Sequence, residues 1–234
     1  KYIPTIILTL LCSCSDYLDI VPDNVTTLDI VFNNRNTAER YLANCYHFVP
    51  DHGSVKRIPG MGAGHECWFY TTNDSHFDNE VSFYIARGLQ NIDAPYANYW
   101  DGEGGSNLPM FRAIRECNIF LDYVRDQHKV NDLTDSERKR WIAEVNVLKA
   151  YYHFFLFEHY GPIPIVDKAL PVSTDPEGVK VTRMPVDQIV DYMVKLIDDS
   201  YKDLPPVITM EATEMGRLTQ PAALALSLIH ISEP

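Results

Sequence analysis

Glu66-Cys67-Trp68-Phe69-Tyr70, followed closely by Asn73 and Asp74, sets an aromatic patch among short polar side chains. A sugar ring has apolar C–H faces and hydroxyl-bearing edges. An aromatic platform flanked by amides and carboxylates can therefore hold one without needing net charge. Tyr96, Tyr99 and Trp100 beside Asp101 repeat the combination. The candidate ligand-binding residues are Glu66, Trp68, Tyr70, Asn73, Asp74, Tyr99 and Trp100. The competing reading of each aromatic is that it packs an irregular segment onto the helices behind it.

Catalytic chemistry finds less support. A glycosidase needs two carboxylates about 5 to 9.5 Å apart across a sugar, and among the many Asp and Glu of this chain no pair stands out. His65 and Cys67 would share one face of an extended strand, yet no second pair follows at zinc-like spacing. Glu144, His153, Glu158 and His159 fall on one predicted helix without an HExxH arrangement. Gly60-Met61-Gly62-Ala63-Gly64 lacks the lysine and following helix of a phosphate-cradling loop. No catalytic residue, metal site or cofactor is predicted. The net charge of −12 argues against nucleic acid, which requires a basic footprint, and against electrostatic adhesion to anionic lipid.

The N-terminus carries a different chemistry. Lys1 precedes an apolar run to Leu11, and Leu11-Cys12-Ser13-Cys14 then reads as a bacterial lipobox. The run is too short for a membrane span, which needs about 20 apolar residues. Residues 1–13 are therefore expected to be a lipoprotein signal peptide, with Cys14 the lipidated residue and the lipid the membrane anchor. The initiator Met is absent, so the chain is expected to begin inside its signal. Cys45, Cys67 and Cys117 remain, an odd number that implies no complete disulfide framework, and each is expected to pack as a small apolar residue.

Helices must position these residues. The pattern predicts one near 37–49, with Asn36 and Glu39 as a capping box. From 47 to 107 periodicity dissolves into Gly, Pro, Asn and Asp among aromatics. Met110, Ile114, Cys117, Leu121 and Val124 then mark one buried helix face. Thr134-Asp135-Ser136-Glu137 opens a long helix whose apolar face is Trp141, Val145, Leu148, Tyr152 and Phe155, stopped by Gly161-Pro162. Another starts near Pro185, with Ile189, Met193, Leu196 and Ile197 inward, and is closed by Pro205-Pro206. A last one begins near Gly216 with Thr219 as its cap. The fold class is mainly α, a tetratricopeptide-like stack of helix pairs with long irregular loops, although no clean self-repeat of roughly 34 residues is present.

CSDYLDIVP at the lipidation site, NYW…RAIRECNIFLDYV (98–124), AEVNVLKAYYHFFLFEHYGPIPIV (143–166) and GRLTQPAALAL (216–226) resemble the SusD/RagB family of outer-membrane nutrient-binding lipoproteins of Bacteroidetes. The resemblance runs from Cys14 to Leu226 and covers under half of a typical member. It implies a tetratricopeptide-like helical scaffold that sits as a lid on a SusC-like TonB-dependent transporter and captures glycans or, in some members, peptides. It also places sugar-contacting residues in the irregular stretch, with a Glu and a Trp comparable to Glu66 and Trp68; relatives often carry an acid where this chain has His65.

The expected function is thus a surface-exposed, lipid-anchored outer-membrane protein that binds oligosaccharide or peptide and passes it to the transporter, and is not an enzyme. Two other readings stand beside it: a secreted glycan-degrading enzyme whose catalytic half is missing, and a non-binding helical adaptor. The expected organisation is a signal at 1–13, an extended segment at 14–35 and the N-terminal portion of the helical domain at 36–226. Residues 227–234 are expected to be a non-native tail on a truncated chain.

Overall fold

The computed structural model describes residues 28–53, 59–64, 81–93, 95–102, 108–170 and 180–228. In chain order the helices are α1 (Leu28–Val31), α2 (Arg35–Tyr46), α3 (Pro59–Gly62), α4 (Val81–Ala86), α5 (Met110–Val124), α6 (Asp135–Tyr160), α7 (Val186–Asp198), α8 (Glu211–Glu214) and α9 (Gln220–Leu228). No strand occurs among the described residues. α1 belongs to one compact unit, Lys1–Val31, and the remaining helices to a second, Phe32–Pro234.

α6 is the axis of the second unit. Its 26 residues span roughly 39 Å at 1.5 Å per residue. The capping box forms as expected: Thr134 Oγ1 accepts from the Glu137 N–H at 3.3 Å, and the Glu137 carboxylate accepts from the Thr134 N–H at 3.3 Å. At the far end Gly161 adopts φ 67°, and its N–H donates to the Phe157 carbonyl at 2.9 Å. That left-handed backbone is where a side chain would be strained.

α5 packs on α6 and α6 on α7, while α2 lies against both α5 and α6. These successive pairs form the tetratricopeptide-like stack. The face of α5 is buried as its periodicity predicts, from Met110 through Ile114, Cys117 and Leu121 to Val124. α6 departs from a simple amphipathic pattern. Trp141, Val145, Leu148, Tyr152 and Phe155 are buried, but so is every residue from Ala143 to Ala150, Glu144 and Lys149 included. A helix flanked on several sides has no solvent face to keep polar.

Other expectations need correction. Asn34, not Asn36, caps α2: its backbone is extended at φ −143° and its side chain accepts from the Thr37 N–H. Glu39 is engaged instead by Arg35 one turn earlier, at 3.0 Å. α4 is a helix within the stretch read as irregular, and its short run of six residues is below what periodicity can register. α7 ends at Asp198, and a 3₁₀ turn, Tyr201–Asp203, intervenes before Pro205. Ile189, Met193 and Ile197 are buried on α7, whereas Leu196 is only half-buried. Thr219 does cap α9, its hydroxyl accepting from the Ala222 N–H at 3.4 Å.

The connection from α5 to α6 is held by one side chain. Arg138, buried on α6, donates to the carbonyls of Val124, Lys129 and Val130, supplying donors that the end of α5 lacks within the helix. Val130 is held at φ 49°, an unusual conformation for a β-branched residue, by that bond and by its own N–H to the Phe32 carbonyl. Cys45 and Cys117 are buried, free thiols. They meet where α2 crosses α5, and the contact with Cys117, reinforced by burial, pushes the Cys45 thiol pKa up.

Candidate functional site

Tyr99 and Trp100, adjacent in sequence, part company in space. Tyr99 is only 1% exposed; its ring packs edge-on against Phe155 and His159. Its N–H donates to the Tyr160 hydroxyl at 2.8 Å and its carbonyl accepts from the Met110 N–H at 2.9 Å. Tyr99 is therefore packed as a core residue, the competing reading given for it, with its ring and backbone engaged by the helices behind it. Trp100 is half-buried and lines a groove. Tyr96 stacks on Tyr84 with centroids 4.1 Å apart. Cys14, Glu66, Trp68, Tyr70, Asn73 and Asp74 lie outside the described residues.

A local turn sets Trp100. Asn98 Oδ1 accepts from the Trp100 N–H at 3.1 Å, and Asn98 Nδ2 donates to Asp101 at 2.5 Å, a side-chain turn of the kind Asn favours. Gly102, at φ 84°, brings the chain so close to Pro109 that an added Cβ would sit 2.8 Å from its ring. The indole is braced edge-on by Phe111, 4.6 Å away, and by Tyr160, 5.4 Å away, with the Arg183 guanidinium 5.2 Å over its ring.

The groove has a volume of about 220 Å³. Trp100, Phe111 and Arg115 line it from around the start of α5, and Pro164, Val166, Lys168 and Leu170 from the segment after α6, together with Val181. Arg115 donates to the Leu170 carbonyl, tying the two together.

A buried polar clamp fixes the second wall. Asn118 Nδ2 donates to the Val166 carbonyl at 3.0 Å. The Val166 N–H donates to His153 Nε2 at 3.4 Å, while His153 Nδ1 lies 2.7 Å from the Lys149 carbonyl. Accepting at one nitrogen and donating at the other requires the neutral imidazole with its proton on Nδ1. Burial lowers its pKa to about 4, in accord with that state. Lys149 donates to both the carbonyl and the carboxylate of Asp167 at 2.9 Å, and Tyr192 donates to the same carboxylate at 2.8 Å. Burial lowers the Lys149 pKa. Burial raises that of Asp167, but the bonds from Lys149 and Tyr192 outweigh it and the net shift is downward.

Sequence reasoning named His153 only as a metal candidate and missed Asn118 and Lys149 altogether. The available sign was polar residues in the inward register of two apolar helices. Among the described residues no group of His, Cys, Asp and Glu has the arrangement of a metal site.

A second groove, about 350 Å³, lies between α6 and α9, lined by Val49, Val147, Leu148, Tyr151, Ala225 and Leu226 among others. Beside it, Glu144 is fully buried between Arg140, 2.9 Å away, and Arg217, 3.0 Å away. Glu144 also accepts from the Tyr46 hydroxyl at 2.9 Å. No helix among the described residues is long and apolar enough to cross a membrane.

Residues 16–229 match the family model SusD-like_3, described as "Starch-binding associating with outer membrane". No curated protein matches the sequence. Among solved structures, a SusD-like protein from Bacteroides fragilis aligns at TM-score 0.63 and 18% identity, over 86% of this chain and 35% of its own. A laminarin-binding SusD-like protein aligns at TM-score 0.63 and 16% identity, over 86% of this chain and 41% of its own. Surface glycan-binding protein A from Bacteroides uniformis gives 0.61 and 15%, over 82% and 40%. This chain thus spans well under half the length of these structures, and at such identities the likeness establishes the fold.

Proposed function

The chain belongs to the SusD-like family, and from that premise we propose that it captures glycans at the cell surface and hands them to a TonB-dependent transporter of the SusC type. Cys14 carries the lipid that holds it at the outer membrane, and the helical stack presents binding residues without performing catalysis. The observation that carries this reading is the family match across residues 16–229. The part-exposed Trp100, braced on a rigid scaffold beside an open groove, supports it, because a preorganised aromatic costs little to order when a sugar stacks near it. Trp68, with Glu66, Tyr70, Asn73 and Asp74, is proposed as a further set of ligand-binding residues.

Membrane fractions carrying the chain are expected to retain soluble polysaccharides such as laminarin or starch without releasing reducing sugar. Cys14→Ala should move that binding to the soluble fraction, and Trp100→Leu should weaken it while the unfolding temperature stays within a few degrees. Release of reducing ends, or retention by neither fraction across a broad glycan panel, would overturn the reading.

A further inference from the structure

The groove beside Trp100 has a chemical bias of its own. Its described lining is apolar except for two side chains, Arg115 and Lys168, and both are cations. No hydroxyl, amide or carboxylate side chain lines it among the described residues. Arg183, over the Trp100 ring, adds a third positive charge and is positioned by donating to the Pro162 carbonyl at 3.0 Å. Among the described residues none of the three joins an ion pair, whereas Arg35, Arg140, Lys149 and Arg217 all do. Among the described residues, the carboxylates adjacent in sequence to Arg115, Lys168 and Trp100 are each engaged by other groups: Glu116 accepts from Tyr41, Asp167 from Lys149 and Tyr192, and Asp101 from Asn98. Such a cluster runs against a chain whose net charge is −12.

Side chains that only donate hydrogen bonds select their ligand. A neutral sugar hydroxyl both donates and accepts, and among the described lining residues its proton would meet no side-chain acceptor. A carboxylate only accepts, and charge-assisted bonds from guanidinium and ammonium groups are about twice as strong as neutral ones. The volume of about 220 Å³ is below the roughly 300–1,000 Å³ of pockets that enclose a drug-sized ligand. It suits one ring of a longer chain lying on open surface.

Resting on the glycan reading above, we propose that the Trp100 groove is a subsite for acidic saccharides. A uronic-acid residue places its carboxylate on Arg115 and Lys168 and an apolar ring face against Trp100 and Phe111. Lys168 is the specificity-determining side chain, since it is exposed and forms no hydrogen bond or ion pair with another described residue.

The test is calorimetric titration of the full chain with oligogalacturonate, alginate and hyaluronan oligomers, each beside its carboxyl-reduced counterpart. At least one acidic oligomer is expected to bind about tenfold more tightly than its reduced form, a difference of about 1.4 kcal/mol. Lys168→Gln should abolish most of that preference with no change in unfolding temperature. Acidic and reduced forms binding equally, with both weakened by Trp100→Leu, would overturn the acidic preference and leave the glycan reading standing. If no oligomer of either kind binds, and laminarin and starch also fail, both fall together. Poly-glutamate binding as tightly as the uronates would overturn the saccharide assignment.

Discussion

The two grooves of the helical unit share a design and differ in what they offer. Each rests on a buried charge of α6 and lies where α6 meets later segments of the chain. The groove by Trp100 is backed by Lys149, whose partner Asp167 is 64% exposed, and two further cations line it, half-buried Arg115 and exposed Lys168. The groove by α9 is backed by Glu144, enclosed between Arg140 and Arg217. That groove is the larger, about 350 against 220 Å³, yet both of its polar side chains are already hydrogen-bonded within the fold. The Tyr46 hydroxyl is taken by Glu144 and by the Leu218 N–H, and the Tyr151 hydroxyl by His52. A concavity whose polar side chains are engaged within the fold is better suited to burying apolar surface than to orienting a sugar. The larger groove offers mainly apolar surface, and the smaller offers cations beside an aromatic ring.

The largest effect expected from breaking this comparison comes at Glu144. Removing it by Glu144→Ala takes the fully buried acceptor from Arg140, Arg217 and the Tyr46 hydroxyl, and leaves Glu214 to bridge the two cations from a less enclosed position. Losing one member of a buried ion pair typically costs about 3–5 kcal/mol. Urea unfolding should show a loss of that order, and residues 214–218 should gain hydrogen exchange before the rest. A loss below about 1 kcal/mol would mean that water already reaches this cluster, and the two foundations would then be alike.

His153 gives the next effect, on the other side. Its folded pKa, about 4, lies below the roughly 6.5 of an unfolded histidine. Between those values the unfolded chain holds a proton that the folded chain does not. The stability contributed by neutral His153 is therefore complete above about pH 6.5, falls as pH is lowered toward 4, and levels off below that. The full swing is on the order of 3 kcal/mol. Carboxylates titrate in the same range, so the measurement is the difference in unfolding free energy between wild type and His153→Gln as a function of pH. The variant should lose about one proton of pH dependence in this window; identical curves would show that His153 is not held neutral.

What the sequence disclosed followed from periodic, local features. Thr134 and Glu137, Gly161, Thr219 and the stripe from Met110 to Val124 were legible because caps and apolar spacing depend on neighbours in the chain. The clamp was not legible. Asn118, Lys149 and His153 find their partners at Val166 and Asp167, across distances that no spacing rule spans, and a buried lysine reads in sequence like an exposed one. The Tyr99-Trp100 pair shows the same limit at finer scale. Composition alone gives both an equal claim to the ligand, and only the packing of Phe155, His159 and Tyr160 around Tyr99 separates them. Arg115 and Lys168, which give the groove its charge, were not among the predicted binding residues, because a sugar site was expected to be neutral.

The smallest effect separates the grooves most directly. Ala225 is exposed on α9 and lines the larger groove. Leucine differs little from alanine in helix propensity, and a substitution at an exposed position usually stays within about 0.5 kcal/mol. Ala225→Leu should therefore leave the unfolding free energy nearly unchanged while filling part of the space between α6 and α9. If that groove only covers apolar surface, saccharide affinity should remain within about twofold of wild type, a difference near 0.4 kcal/mol. Lys168→Gln, equally exposed and equally mild for the fold, should lower affinity for the acidic oligomers. A reversed outcome, with Ala225→Leu abolishing binding and Lys168→Gln leaving it intact, would move the ligand to the α9 groove and make the cations around Trp100 a feature of surface solvation.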